Sequence, residues 1–169
     1  MERRQINAEE LNVLFKVIGA GIWHLQNVED ALHTYITVKR DVKTRGAMAA
    51  EEAEAILLKH RTRTLGVSTK ISRDALVLSP SLQERLERFK EERDWLVHRC
   101  VNQHRADLYE NKKRYELIRR IESFTEEARA IQKLIGKELE DYVVAQGVNR
   151  DWIHRYAENQ INKLKGTRP

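Results

Sequence analysis

Two prolines, Pro80 and Pro169, and seven scattered glycines are all the strong backbone punctuation in this chain of 169 residues. With Glu, Lys, Arg, Leu and Ala abundant, so few breakers argue for long helices and few turns. Cysteine occurs once, at Cys100, which excludes an internal disulfide and any multi-cysteine zinc site. Long uncharged apolar runs are absent and mean hydropathy is -0.66, which excludes a transmembrane helix. The leading Met1-Glu2-Arg3-Arg4-Gln5 has no signal-peptide apolar core, so the expectation is a cytoplasmic protein. Internal repeats, low-complexity segments and linker-like composition shifts are also missing, so residues 1–169 read as one domain.

What is present is a core-forming mix, 41% hydrophobic and 34% charged. Thirty-one basic residues against twenty-six acidic ones leave a net charge of +5 and a pI near 9.4, which favours an anionic partner and says nothing about fold.

Apolar spacing places the helices. Asn7 is a good N-cap, with Glu9 and Glu10 in the acidic first turn. Leu11, Phe15, Ile18, Ile22, Leu25, Leu32 and Tyr35 then keep a three-four rhythm. Gly19 and Gly21 interrupt it, as a bend or as a close crossing of another helix. The β-branched Tyr35-Ile36-Thr37-Val38 stays helical because the surrounding period is helical. A short helix is expected over Ala47 to His60 with Ala53, Ile56 and Leu57 inward, and then a turn at Arg61-Thr62-Arg63-Thr64-Leu65-Gly66. The following segment stops at Ser79-Pro80, since the residue before proline is disfavoured in the helical region. Pro80 suits the first turn of the next helix, whose stripe is Leu82, Leu86, Phe89, Leu96, Val97 and Cys100. A long helix carries Leu117, Ile121, Phe124, Ala128, Ile131, Ile135, Leu139 and Tyr142 and ends at Gly147 as a C-cap. A last one from Asn149 is expected to bury Trp152, Ile153, Tyr156 and Ile161, trailing off in Lys163, Lys165 and Arg168. The expectation is all-α: an antiparallel bundle of five or six helices.

One residue breaks the pattern. After Leu82, Leu86 and Phe89 the next core-facing position is Arg93. A buried guanidinium costs several kcal/mol unless it is paired or lines a wet cleft. It either snorkels at the bundle edge, paired with Glu92 or an acid of another helix, or it serves a site. Five residues on stands His98, in the run Arg93-Asp94-Trp95-Leu96-Val97-His98, flanked by Glu91-Glu92 and Arg99.

This Arg-polar-x3-His arrangement resembles the motif of HEPN domains, a family of small all-helical proteins. Thr64-Leu65-Gly66 ahead of a helix, and Gln26-Asn27-Val28-Glu29-Asp30-Ala31-Leu32 in the long first helix, are similar to some members. The resemblance implies a metal-independent, dimeric endoribonuclease that needs no cofactor. His98 would activate the ribose 2′-OH or protonate the leaving 5′-oxygen, for which its near-neutral titration suits it. Arg93 would hold the phosphate and stabilise the phosphorane-like transition state, and Asp94 would orient one of these groups. Products would carry 2′,3′-cyclic phosphate and 5′-hydroxyl ends, in a toxin-like or phage-defence setting with an antitoxin or regulatory protein. One subgroup places Tyr two residues after the His; Cys100 stands there, so control by nucleotide transfer onto that tyrosine is not open to this chain. In a straight helix, residues five apart differ by about 140° and about 7.5 Å. Either the helix is locally irregular or a two-fold dimer builds each site from both chains; the dimer is the expectation.

Lys59, Arg61 and Arg63, with Lys70 and Arg73 and no acid before Asp74, form a basic stretch able to track an RNA backbone or to sit as a solvated turn. Arg99 joins them as a candidate RNA contact. Lys112-Lys113-Arg114 with Arg119 and Arg120 is diluted by Glu110 and Glu116. The six histidines include no helical-spacing pair, so no metal site is expected. His24 and His33 read as surface or packing residues, and His104 as a surface residue within reach of the same cleft. Trp23, Trp95 and Trp152 are expected to pack, with base stacking the alternative for Trp95. Cys100 reads as a small core residue. Gly19-Ala20-Gly21 lacks the strand and spacing of a phosphate loop, and Glu51, Glu52 and Glu54 read as a solvated face. The rival to the nuclease is a non-catalytic helical interaction module that binds RNA or a protein partner, as an accessory or immunity protein.

Overall fold

A computed structural model describes residues 3–166, and Arg168 and Pro169 lie outside them. Among the described residues the structure is helical, without strands. Helix α1 (Ala8–Ile36) opens with a capping box: Glu10 N–H donates to Asn7 Oδ1 at 2.9 Å and Asn7 N–H to Glu10 Oε2 at 3.1 Å. It continues into a π-helical turn, Thr37–Val42. Then follow α2 (Ala50–Arg61), α3 (Leu65–Asp74) and α4 (Pro80–Asp94), the last capped by the Ser79 side chain with proline in its first turn. A second π turn, Trp95–Arg99, joins α4 to α5 (Cys100–His104). After a 3-10 turn at Asp107–Tyr109 come α6 (Asn111–Ala145) and α7 (Arg150–Leu164). Counting α4, its π turn and α5 as one rod, there are six.

The ladder of side-chain bonds gives the directions. Along α1 and α6, Arg114 Nη2 meets Glu10 (2.6 Å), Arg129 Nε meets His24 (3.0 Å), and Tyr142 Oη donates to Lys43 O (2.6 Å), so these two helices run parallel. Helix α4 runs antiparallel to α6, with Arg85 on Glu127 (2.6 Å) and Arg120 on Glu92 (2.9 Å). It also forms an antiparallel hairpin with α3, where Ser72 bonds Gln83 at 2.9 Å. The core lies between α1, α4 and α6: Leu32, Ile36, Leu86, Phe89, Ile121, Phe124, Ile131 and Ile135 are buried there. Phe89 and Phe124 stack at 4.7 Å. Each such aliphatic side chain stabilises the fold by about 1.5–3 kcal/mol. Gly21 is the close crossing: a Cβ there would meet Leu96 Cδ2 at 3.3 Å and Phe124 at 3.5 Å, whereas Gly19 faces open space. Gly147, at φ +86°, terminates α6.

Four expectations about burial are corrected. Phe15 and Trp23 are exposed, because the inward stripe of α1 runs through Leu14, Gly21, Leu25 and Val28. Val97 is exposed because the π turn adds a residue to the helix and rotates it outward, while Leu96 and Cys100 stay inside. Helix α7 buries no residue: Trp152, Tyr156 and Ile161 face out. Arg150, on Glu140 (3.2 Å) and Asp141 (2.8 Å), ties it to α6 instead. No helix among the described residues is long and apolar enough to cross a membrane.

Candidate functional site

The helix is irregular at the motif. Cys100 N–H donates to Trp95 O, an i to i+5 bond, so the turn between them holds one residue more than an α turn. That extra residue cancels the angular mismatch of the Arg-x4-His spacing. Arg93 Nη1 and His98 Nε2 lie 3.5 Å apart within one chain, on one face, and a second copy is not needed to bring them together.

Arg93 is 19% exposed in its side chain. Its Nη1 donates to Asp94 Oδ1 at 3.0 Å, while its Nε is buried with no partner among the described residues. Lys90 Nζ stands 3.6 Å from the other oxygen of Asp94. Burial works against the Asp94 carboxylate, but the Arg93 hydrogen bond and the Lys90 charge outweigh it and hold its pKa below the usual range.

Glu29 of α1 lies within the electrostatic reach of the same guanidinium, from another element. Burial pushes its carboxyl up, opposed by the charge of Arg93 and by a hydrogen bond from the Leu65 backbone. Leu65 begins α3, and the neighbouring Gly66 leaves room for Lys90, whose Cε would sit 3.1 Å from a Cβ there. The start of α3 thus meets Glu29 of α1 on one side and Lys90 of α4 on the other. Of the acids expected beside Arg93, Asp94 is found there, whereas Glu92 pairs with Arg120 at 2.9 Å.

The other candidates separate. Trp95 is 3% exposed and packs, with Arg120 Cζ 3.6 Å above its ring and His104 edge-on at 5.5 Å. His104 Nδ1 bonds Asp107 at 2.7 Å. Arg99 is exposed and its Nη2 donates to Glu91 O at 3.3 Å. In the basic stretch Lys59 is exposed, but Arg61 is bonded to Asp30 (2.7 Å) and Arg63 to His60 Nδ1 (2.6 Å). Arginine only donates, so Nδ1 of the buried His60 accepts and its Nε2–H donates to Asp41 at 2.8 Å. Arg73 is on Glu87 (3.1 Å) and Arg114 is buried on Glu10. Among the described residues, no three His, Cys, Asp or Glu side chains cluster as metal ligands.

No protein-family model matches the chain, and no curated protein or solved structure matches it either. The functional reading therefore stands on these residues.

Proposed function

We propose that the protein is a metal-independent endoribonuclease of HEPN type. The observation that carries the proposal is the 3.5 Å approach of Arg93 Nη1 to His98 Nε2, made by the π turn, beside an Asp94 carboxylate that holds the guanidinium. His98 is exposed, so a ribose 2′-hydroxyl can reach it. In the proposed reaction, neutral His98 takes the 2′-OH proton, the 2′-oxygen attacks phosphorus, and the P–O5′ bond breaks. Arg93 donates to the non-bridging oxygens as charge gathers there, a task for a planar, permanently charged fork. The leaving 5′-oxygen needs a proton from a second donor.

Homodimerisation belongs to the proposal for that reason: a second copy's His98 would supply the donor. Val97 and Val101, both exposed and beside His98, give the motif helix an apolar outer surface for such pairing. A toxin-like or defence role, with an antitoxin or regulatory partner, follows from the family reading alone. Lys59 and Arg99 are the proposed backbone contacts, since Arg61 and Arg63 have protein partners.

The non-catalytic module is the second reading. It is favoured by the Arg93–Asp94 pair, which would serve equally to satisfy a half-buried arginine. One experiment separates them. Total RNA is incubated in EDTA with wild-type protein, His98→Ala and Arg93→Ala, each checked for fold and oligomeric state. The nuclease predicts cleavage with cyclic-phosphate ends, lost in both variants. Cleavage that survives in both overturns the site, and a folded wild type without activity favours the module.

A further inference from the structure

The junction between α6 and α7 forms an open cleft of about 540 Å³, lined by Arg45, Gly147, Val148, Asn149, Trp152 and Arg155. Its size falls in the range of about 300–1,000 Å³ usual for ligand sites. The Tyr142 hydroxyl, bonded to Lys43 O at 2.6 Å, pins the loop carrying Arg45 against this end of α6. Two residues later the exposed Arg45 faces the cleft from one side, and Arg155 faces it from α7.

Neither arginine has a carboxylate partner among the described residues. Arg155 makes only a 3.4 Å bond back to Asp151 O of its own helix. The nearby acids of α6 are already taken: Glu140 and Asp141 by Arg150, and Asp141 also by Lys137. Trp152, 53% exposed, lines the cleft with them and stacks on Tyr156, 52% exposed, at 5.2 Å with the rings 19° from parallel. Two guanidinium groups without carboxylate partners, beside an exposed indole, match a ligand that is at once polyanionic and planar.

We infer that this cleft binds single-stranded nucleic acid, with phosphates on Arg45 and Arg155 and a base stacked on Trp152. The site stands whether or not Arg93 and His98 cleave. It shares no lining residue with the surroundings of Arg93 and His98. Phosphates and base faces are common to RNA and DNA, so both strands are expected to bind.

The test uses the full chain and a fluorescent 2′-O-methyl oligoadenylate, which 2′-hydroxyl attack cannot cut, so the result is independent of the nuclease reading. Anisotropy titrations at several salt concentrations compare wild type with Trp152→Ala, Trp152→Phe and Arg45→Gln/Arg155→Gln; a DNA strand of the same sequence is the second arm. Trp152→Ala is expected to weaken binding about five-fold or more, and Trp152→Phe to keep most of it. The double variant is expected to lower the slope of log affinity against log salt by about 1.4, at about 0.7 per phosphate contact. All three changes are at exposed positions, and circular dichroism checks the fold. Absence of binding, or binding indifferent to these variants, overturns the inference. Self-association that Trp152→Ala abolishes, with no strand bound, would assign the face to a second copy and overturn it equally.

Discussion

Arg93 Nη1 and His98 Nε2 meet at 3.5 Å although five residues of regular α-helix would set them about 140° apart. The i to i+5 bond from Cys100 N–H to Trp95 O reconciles the two. The same insertion turns Val97 to solvent and keeps Leu96 against Gly21, so one backbone feature sets both the site and the adjoining packing. Such π insertions occur often at functional sites.

Replacing Arg93 separates chemistry from stability. Its Nε is buried without a partner, a burden of about 1–3 kcal/mol that offsets what the Asp94 pair contributes. Arg93→Ala is therefore expected to unfold within about 1 kcal/mol of wild type in urea. Arg93→Lys, which keeps the charge and loses the fork, is expected to cut RNA about 10²–10³-fold more slowly. In Arg93→Ala, NMR titration should find the Glu29 carboxyl higher still, because Arg93 is a charge holding it down, whereas Arg93→Lys keeps that charge and should leave Glu29 nearer wild type. An unchanged Glu29 in Arg93→Ala would mean that the charge of Arg93 does not act on it.

The glycines of α1 make opposite predictions. Gly19 faces open space, so Gly19→Ala gains helix propensity at no steric cost and should stabilise by about 0.5–1 kcal/mol. Gly21 lies under Leu96 and Phe124, and Gly21→Leu should destabilise by about 1–3 kcal/mol. Thermal denaturation of the two variants checks the crossing; equal effects would contradict it.

Stability should fall on acidification through the His33 window. Burial, the largest cause, brings its pKa from 6.5 down to about 4, and its Nε2 bonds the buried Ser68 Oγ at 2.8 Å. Between about 6.5 and about 4 the unfolded chain binds a proton that the folded one refuses, so this contribution is present above 6.5 and is lost as pH falls. The loss is bounded at about 3 kcal/mol. His33→Gln keeps a hydrogen-bonding side chain and removes the titration. Urea midpoints across this window should fall for wild type and flatten for the variant, and equal slopes would place the dependence elsewhere.

Local features were legible in the sequence where the physics is local. The Asn7 cap, the Ser79-Pro80 boundary, the Gly147 stop and the Leu82-Leu86-Phe89 stripe each depend on residues within a turn or two, and each is found in place. The π turn has no comparable composition signal, so the spacing of Arg93 and His98 pointed to a second chain. Glu29 was beyond reach because its place in the field of Arg93 depends on how α1 and α4 pack. Helix α7 has an amphipathic pattern, but periodicity says only which face is apolar, not whether anything covers it.

If the π turn is one residue absorbed into an α-helix, removing that residue should leave the helix intact. Val97 is the residue to delete, being exposed and contributing little to the core. Without it, the histidine falls four residues after Arg93, about 40° away on the same face and about 6 Å along the axis. Leu96 stays inside and Cys100 keeps its register with Trp95 as an i to i+4 pair. The deletion variant is therefore expected to remain helical, to unfold within about 1 kcal/mol of wild type, and to keep part of any cleavage activity. Inserting an alanine after Val97 should instead carry the histidine about 140° from Arg93, the π turn still absorbing one residue, and abolish that activity. Circular dichroism, urea unfolding and the RNA assay on both variants decide it. An unfolded deletion with an active insertion would show that the geometry of Arg93 and His98 does not come from the extra residue.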